Sequence, residues 1–279
     1  MKRPIFPLTA NTSLFRNLAT MTGLAAILLL APAASQAQIT LGLQCAQDFQ
    51  NKWAPGLGMD SLCKPFAQTV ALVASKDWYY NLHGAQPAFY SGTKQETCSS
   101  CGGLDSVDFA FVATHGNVPR STYTGFAMWD DSCADTNPPG CIAWTPYMRL
   151  GSVGRQLKVL SAYACDTLKV SDGDLIARWG KIFAGGLRIA TGGYDVMWSG
   201  SQNGEIGLFY GIYLGVNLTV TNAWLDATSL DTSNHPISVV TGANANDCWN
   251  RQGMTLKEAV SSKPLRDNEI GYYCWVYWQ

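Results

Sequence analysis

Among 279 residues, three short stretches carry side chains whose types and spacing suit chemistry. His115-Gly116 directly follows the apolar run Val107 to Thr114 (VDFAFVAT), and Ala164-Cys165 follows Leu157 to Ala162 (LKVLSA) with little gap. An imidazole and a thiol form a Cys–His pair if the two runs are neighbouring parallel strands. The imidazole then takes the thiol proton or stabilises the thiolate. Parallel sheets place ligands in the crevice beyond the carboxyl ends of their strands, about 4.8 Å apart, where both residues would stand. Gly116, lacking a side chain, can turn its N–H into that crevice. With the N–H of Cys165 it would hold a developing oxyanion. The third stretch, Thr191-Gly192-Gly193-Tyr194, ends another proposed strand and is a candidate pocket wall for substrate. The remaining histidines suit the role less well. His83-Gly84 follows polar and aromatic residues rather than a strand, and His235 precedes Pro236 in a turn. No cofactor or metal is needed for this chemistry.

The elements that must position these residues are legible in the pattern of apolar side chains. Both runs read as buried strands, short and rich in β-branched and aromatic residues. Between Cys165 and Thr191, residues Leu175, Ile176, Trp179, Ile182 and Phe183 share one helical face. Asp172 and Asp174 suit its N-terminal end, and Gly185-Gly186 suits its stop. Strand, helix and strand over about 35 residues make a βαβ unit, which requires parallel strands. Phe66 to Tyr80 predicts a helix, with a strand as the alternative, and residues 38–64 read as irregular. A lesser strand is predicted over 124–129, helices around 204–215 and 219–228, and late strands over 237–241 and 272–277. The fold class is α/β, a mostly parallel sheet flanked by helices.

Composition narrows the partners. Hydrophobic residues make up 47% and charged residues 14%, enough for one core and too few charges for a disordered chain. With 19 basic and 20 acidic residues, nothing is available to neutralise a nucleic-acid backbone, so DNA and RNA are excluded as expected partners. Lys2, Arg3 and Arg16 form a basic leader to an apolar stretch, Leu18 to Pro32, and Ser35-Gln36-Ala37 supplies small residues for cleavage. A signal anchor is the competing reading. Residues 1–37 are read as a signal peptide and 38–279 as a single domain, secreted or periplasmic, with no stable membrane anchor after cleavage. Removing 37 residues, three basic and none acidic, leaves 16 basic against 20 acidic charges over 242 residues.

All nine cysteines lie beyond that point, and an oxidising compartment favours pairing. Nine is odd, so at least one stays free. Cys165 is the expected free thiol, because it follows an apolar run whereas the other eight lie in what read as loops, turns and chain ends. Cys133–Cys141, across a short Pro/Gly-containing loop, is the best single disulfide. Cys98-Ser-Ser-Cys101 admits a redox motif, or half of a zinc site with Cys133 and Cys141. Structural disulfides suit the compartment better than either.

With VDFAFVATHG and LKVLSAYAC in place, the chain resembles the caspase-like cysteine peptidases, in which one hydrophobic strand ends in His-Gly and a second in Ala-Cys. His115 and Cys165 stand 50 positions apart, matching the caspase spacing of about 50. The stretches WGKIFAGGLRIATGG and GVNLTVTNAW are similar to a family of exported, functionally uncharacterised bacterial proteins of caspase-like fold. The resemblance, over residues 66–279, implies a caspase-like sheet and a peptidase or amide hydrolase acting on a peptide or protein. In that reading Cys165 is the nucleophile and His115 its base. The alternative is a catalytically silent caspase-like module that binds a peptide or glycan in the same crevice. Two positions depart from the caspase pattern. Tyr163 stands where a caspase has Gln, and Thr167 where it has Gly. The basic residues that give caspases their aspartate preference have no counterparts, so that preference is not implied.

Overall fold

The structure, a computed structural model, describes residues 8–9, 39–49, 54–80, 104–116, 122–127, 142–148, 150 and 157–278. Its strands are β1 (Leu8–Thr9), β2 (Ile39–Cys45), β3 (Ala74–Tyr80), β4 (Phe109–Ala113), β5 (Gly125–Ala127), β6 (Ile142–Trp144), β7 (Val159–Tyr163), β8 (Ile189–Gly193), β9 (Pro236–Gly242) and β10 (Tyr272–Tyr277). Its α-helices are α1 (Asp60–Val70), α2 (Leu175–Ala184), α3 (Asn203–Gly215), α4 (Val220–Thr228), α5 (Ala245–Gln252) and α6 (Leu256–Ser261).

Eight strands form one mixed sheet in the order β1-β10-β9-β8-β7-β4-β2-β3. From β8 to β3 all neighbours run parallel, while β9 is antiparallel to both β8 and β10. The two remaining strands, β5 and β6, form a separate antiparallel pair. The central strands are apolar throughout because both faces are covered. Every residue of β4, β7 and β8 is buried. Phe109, Phe111, Val159 and Val240 face a core closed by α1, α3 and α4, which includes Phe66, Tyr210 and Trp224. Alternate residues Ala110, Val112, Leu160 and Val239 face the opposite core, with Trp179 and Phe183 of α2 and Phe126 of β5. Phe66 stacks on both Phe111 and Tyr210, with ring centroids at 4.5 and 5.2 Å.

The βαβ unit forms as its pattern predicts, with β7 and β8 parallel around α2. Leu175, Trp179, Ile182 and Phe183 are buried, whereas Ile176 is exposed and Arg178 takes an interior place. The two terminal nitrogens of that guanidinium donate to the Asp172 carboxylate and the Lys169 carbonyl. Asp172 therefore serves Arg178 as well as the helix start, its Oδ1 accepting from the N–H of the N-cap residue Asp174 at 3.0 Å.

The N-terminal half differs from the sequence expectation. Residues 38–64 contain β2 and the start of α1, and the predicted helix over 66–80 ends at Val70 and gives way to β3. Gly42 and Gln44 mask the strand character of β2, yet Gln44 is fully buried, because β2 lies between β3 and β4. Tertiary burial decides the strand there, against weak propensity.

Two disulfides, Cys45–Cys63 and Cys248–Cys274, lie in the described residues, with Cα separations of 6.4 and 6.0 Å. Each joins a strand to a helix inside the core, β2 to α1 and α5 to β10. These four cysteines sit on regular elements; the sequence reads Cys45, Cys63 and Cys248 as loop or turn residues, and Cys274 lies on the late strand expected near the chain end. Restricting the unfolded chain, each bridge contributes about 3 kcal/mol in the loop-entropy account. Cys98, Cys101, Cys133 and Cys141 lie outside the described residues, as do His83 and the proposed signal peptide apart from Leu8–Thr9. Among the described residues no helix is long and apolar enough to cross a membrane. No cluster of three metal-ligating side chains occurs there either.

Candidate functional site

Strand pairing brings His115 and Cys165 to the same edge of the sheet. From Phe109↔Val159 to Ala113↔Tyr163, β4 and β7 pair with a constant offset of 50 residues. His115 and Cys165 keep that offset two positions further on, at the carboxyl ends of both strands. They share the parity of Phe109, Phe111, Val159 and Tyr163, which face the α1/α3/α4 core. The ladder extends past β4 proper, since the Thr114 N–H donates to the Tyr163 carbonyl at 3.2 Å. On the other face the Thr114 hydroxyl donates to Ala127 at 2.8 Å, and the Ala127 N–H donates to the His115 carbonyl. The β5/β6 pair thus holds the backbone of the histidine turn.

The segment between β2 and α1 holds the histidine ring. Phe49 stacks on it, with centroids 5.4 Å apart, and Nε2 lies 2.9 Å from the Pro55 carbonyl oxygen. A carbonyl only accepts, so this contact assigns the proton to Nε2 and leaves Nδ1 as the basic nitrogen. The Cys45–Cys63 bridge closes the same connection at its two ends. It thereby limits how far Pro55 can move from the ring.

Cys165 is half-buried and is the free cysteine among the described residues. Its sulfur accepts from the Met197 N–H at 3.3 Å, and the thiol is 3.6 Å from the Met197 carbonyl. Burial pushes the Cys165 thiol above its ordinary pKa. The charges of Asp166 and Asp195 push the same way, against hydrogen bonds from Met197 and from its own N–H. The resting group is a protonated thiol, and proton removal by a neighbouring base is the route to a nucleophile. His115 and Cys165 are not hydrogen-bonded to each other in this structure. Asp166 has a left-handed φ of 54° and opens the turn after the thiol, its N–H donating to the Asp195 carbonyl at 2.9 Å. Its carboxylate pairs with Lys169 at 3.0 Å.

Gly116 lies directly against the Cys165 backbone, and a Cβ there would collide with the Cys165 carbonyl. The requirement for glycine is steric, since Gly116 is not among the positive-φ positions. Its N–H meets no acceptor among the described residues, so this donor is available beside the thiol.

Thr191, Gly192 and Gly193 of the proposed wall are buried at the end of β8. Thr191 is buried and donates to Ser161 at 2.8 Å, and Ser161 in turn contacts the Tyr210 hydroxyl at 2.7 Å. Gly192 accepts from the Trp224 indole at 3.2 Å, and the Gly193 N–H donates to the Thr167 hydroxyl at 3.2 Å. Gly193 supports the turn after Cys165 from behind and Gly192 lies close against it, whereas Thr191 bonds into the core. Tyr194, half-buried, stacks on Tyr277 at 5.1 Å. Thr167, at the position of the caspase glycine, accepts from the Trp179 indole through its carbonyl at 2.7 Å. His235 is partly exposed, with Nδ1 3.8 Å from Asp195.

Sequence reasoning missed Pro55, Phe49 and Met197. Two of these act through backbone atoms, which leave no residue-type signature. The flanking Cys45 and Cys63 were the available signal for the Pro55 segment, had they been read as a pair.

No curated protein matches the chain. Residues 76–275, well over half of it, match a family described as Domain of unknown function (DUF6345). The matched region takes in His115, Gly116, Cys165 and Met197, and the chain belongs to the DUF6345 family.

Proposed function

We propose that this protein is an exported cysteine-dependent peptidase, or a related amide hydrolase, of caspase-like fold. The observation that carries the reading is the β4–β7 register, with its offset of 50, leading to His115 and Cys165 at one sheet edge. The free state of Cys165 beside two disulfides among the described residues supports it. The same disulfides suit a secreted or periplasmic setting.

In this mechanism Nδ1 of His115 takes the Cys165 proton as the sulfur attacks the substrate carbonyl carbon. The oxyanion that forms receives hydrogen bonds from the N–H groups of Gly116 and Cys165. Collapse breaks the C–N bond, with His115 returning its proton to the leaving amine and a thioester remaining on Cys165. Water, deprotonated by His115, then releases the acid and the thiol. The Pro55 carbonyl stabilises the imidazolium through Nε2–H during both proton transfers.

One observation favours a second reading, a silent module that binds a peptide or glycan in the crevice. The thiol is raised in pKa and held by Met197, and the histidine is not bonded to it. Incubation with a mixed peptide library separates the two. The peptidase reading expects cleavage products that vanish after alkylation of Cys165 by iodoacetamide. Intact peptides retained by the protein, alkylated or not, would establish the binding module instead.

A further inference from the structure

The contacts that hold Met197 against the thiol trace to two buried side chains on other elements. Asn234, between α4 and β9, is fully buried. Its Oδ1 accepts from the Trp198 N–H at 2.6 Å. Its Nδ2 donates to the Tyr163 hydroxyl and to the Thr228 carbonyl, both at 3.0 Å. The Tyr163 hydroxyl in turn donates to the Trp198 carbonyl at 2.5 Å. Both polar groups of Trp198 are therefore fixed by buried partners, although its indole is exposed. Trp198 follows Met197 directly. One residue further, the Ser199 hydroxyl donates to Leu57 at 2.9 Å, tying the loop to the segment that carries Pro55.

We infer that Asn234 and Tyr163 are positioning residues for the thiol: by clamping the Trp198 backbone they hold the Met197 N–H on the sulfur of Cys165. The inference rests on Cys165 being the reactive thiol of the proposed function, but not on turnover. It assigns a role to Tyr163, the residue at the caspase glutamine position. Burial holds the Tyr163 phenol far above its ordinary pKa, so it remains a donor across the working range. A thiolate gains from an N–H donor more than a thiol does, so releasing Met197 raises the thiol's midpoint. The other groups acting on the sulfur stay in place. They are Asp166 with its Lys169 partner and Asp195 beside His235, while His115 stands at the end of the neighbouring strand β4.

The test is the pH dependence of Cys165 alkylation by iodoacetamide, followed by mass spectrometry on the folded full chain. Tyr163→Phe keeps the ring that packs against Trp224 and removes one hydroxyl. Its midpoint is expected to rise by about one unit, slowing alkylation about tenfold below the midpoint. Asn234→Ala is expected to shift it at least as far. Thr221→Ala, which breaks a separate buried network with Ser238 and Gln252, serves as a control for lost stability. Its midpoint is expected to match the wild type. If Asn234→Ala does not fold, Tyr163→Phe alone decides. A wild-type midpoint in folded Tyr163→Phe, or an equal shift in Thr221→Ala, would overturn the inference. Because alkylation needs no substrate, an inert protein still answers the question, and an active one with unshifted midpoints refutes the clamp alone.

Discussion

Cys165→Ala is expected to reduce peptide hydrolysis by at least about 10⁴-fold while leaving the fold intact. Alanine removes only the sulfur from a half-buried position at the end of β7, and no disulfide is lost, because this cysteine is free. The loss is large because no other described group can form the thioester. His115→Ala is expected to cost less, about 10²- to 10⁴-fold, since general acid–base assistance contributes that range. The thiol's raised pKa adds to the dependence on His115. On the proposed mechanism, a cysteine already present as thiolate would tolerate the loss of its base, whereas a thiol raised in pKa would have to be deprotonated during attack. Residual hydrolysis by His115→Ala should therefore climb with pH toward the thiol's own midpoint. Cleavage rates across pH for the two variants measure this. An unchanged pH profile in His115→Ala would remove the histidine from the mechanism.

Gly116→Ala is expected to be nearly as damaging through packing. The added Cβ meets the Cys165 carbonyl and its backbone neighbours, and no flexible side chain can give way. Either β4 and β7 separate at their carboxyl ends or the turn bearing the thiol moves. Either movement displaces the oxyanion donors from the reacting carbon, and misplacement of about 1 Å costs about 100-fold. Overpacking should also lower stability by about 1–3 kcal/mol. Denaturant unfolding and hydrolysis rates measured together check both. An alanine variant with wild-type rate and stability would mean that Gly116 does not abut Cys165.

How much of this was legible in the sequence follows from how each residue acts. Buried strands announce themselves by continuous apolar runs, so β4, β7 and β8 and the helix between β7 and β8 could be read, and with them His115 and Cys165. The spacing of those two carried more than was read into it, because the offset of 50 is the strand register itself. Strand β2 was hidden, since Gly42 and Gln44 interrupt its pattern and only its place between β3 and β4 makes it a strand. Of the bridged cysteines, Cys63 and Cys248 lie on helices and Cys45 on the hidden strand β2, at positions the sequence pattern did not mark, whereas Cys274 lies on the late strand read over 272–277. Thr191, Gly192 and Gly193 read as a rim from their position at a strand end. The Gly193–Thr167 hydrogen bond and the close approach of Gly192 to Thr167 and Leu168 place the turn around Thr167 over this strand end, while Thr191 bonds within the core. What escaped altogether were backbone contributions, the Pro55 carbonyl on the imidazole and the Met197 N–H on the sulfur.

Trapping the covalent intermediate tests the central claim most directly. The protein would be mixed with an excess of a cleavable peptide, quenched in acid within the first turnover and weighed intact. The expected result is an added mass equal to the acyl half of the peptide, mapped to Cys165 and absent from Cys165→Ala. Cleavage by Cys165→Ala at the wild-type rate, or an acyl group mapped to any other residue, would contradict the assignment of Cys165 as the nucleophile.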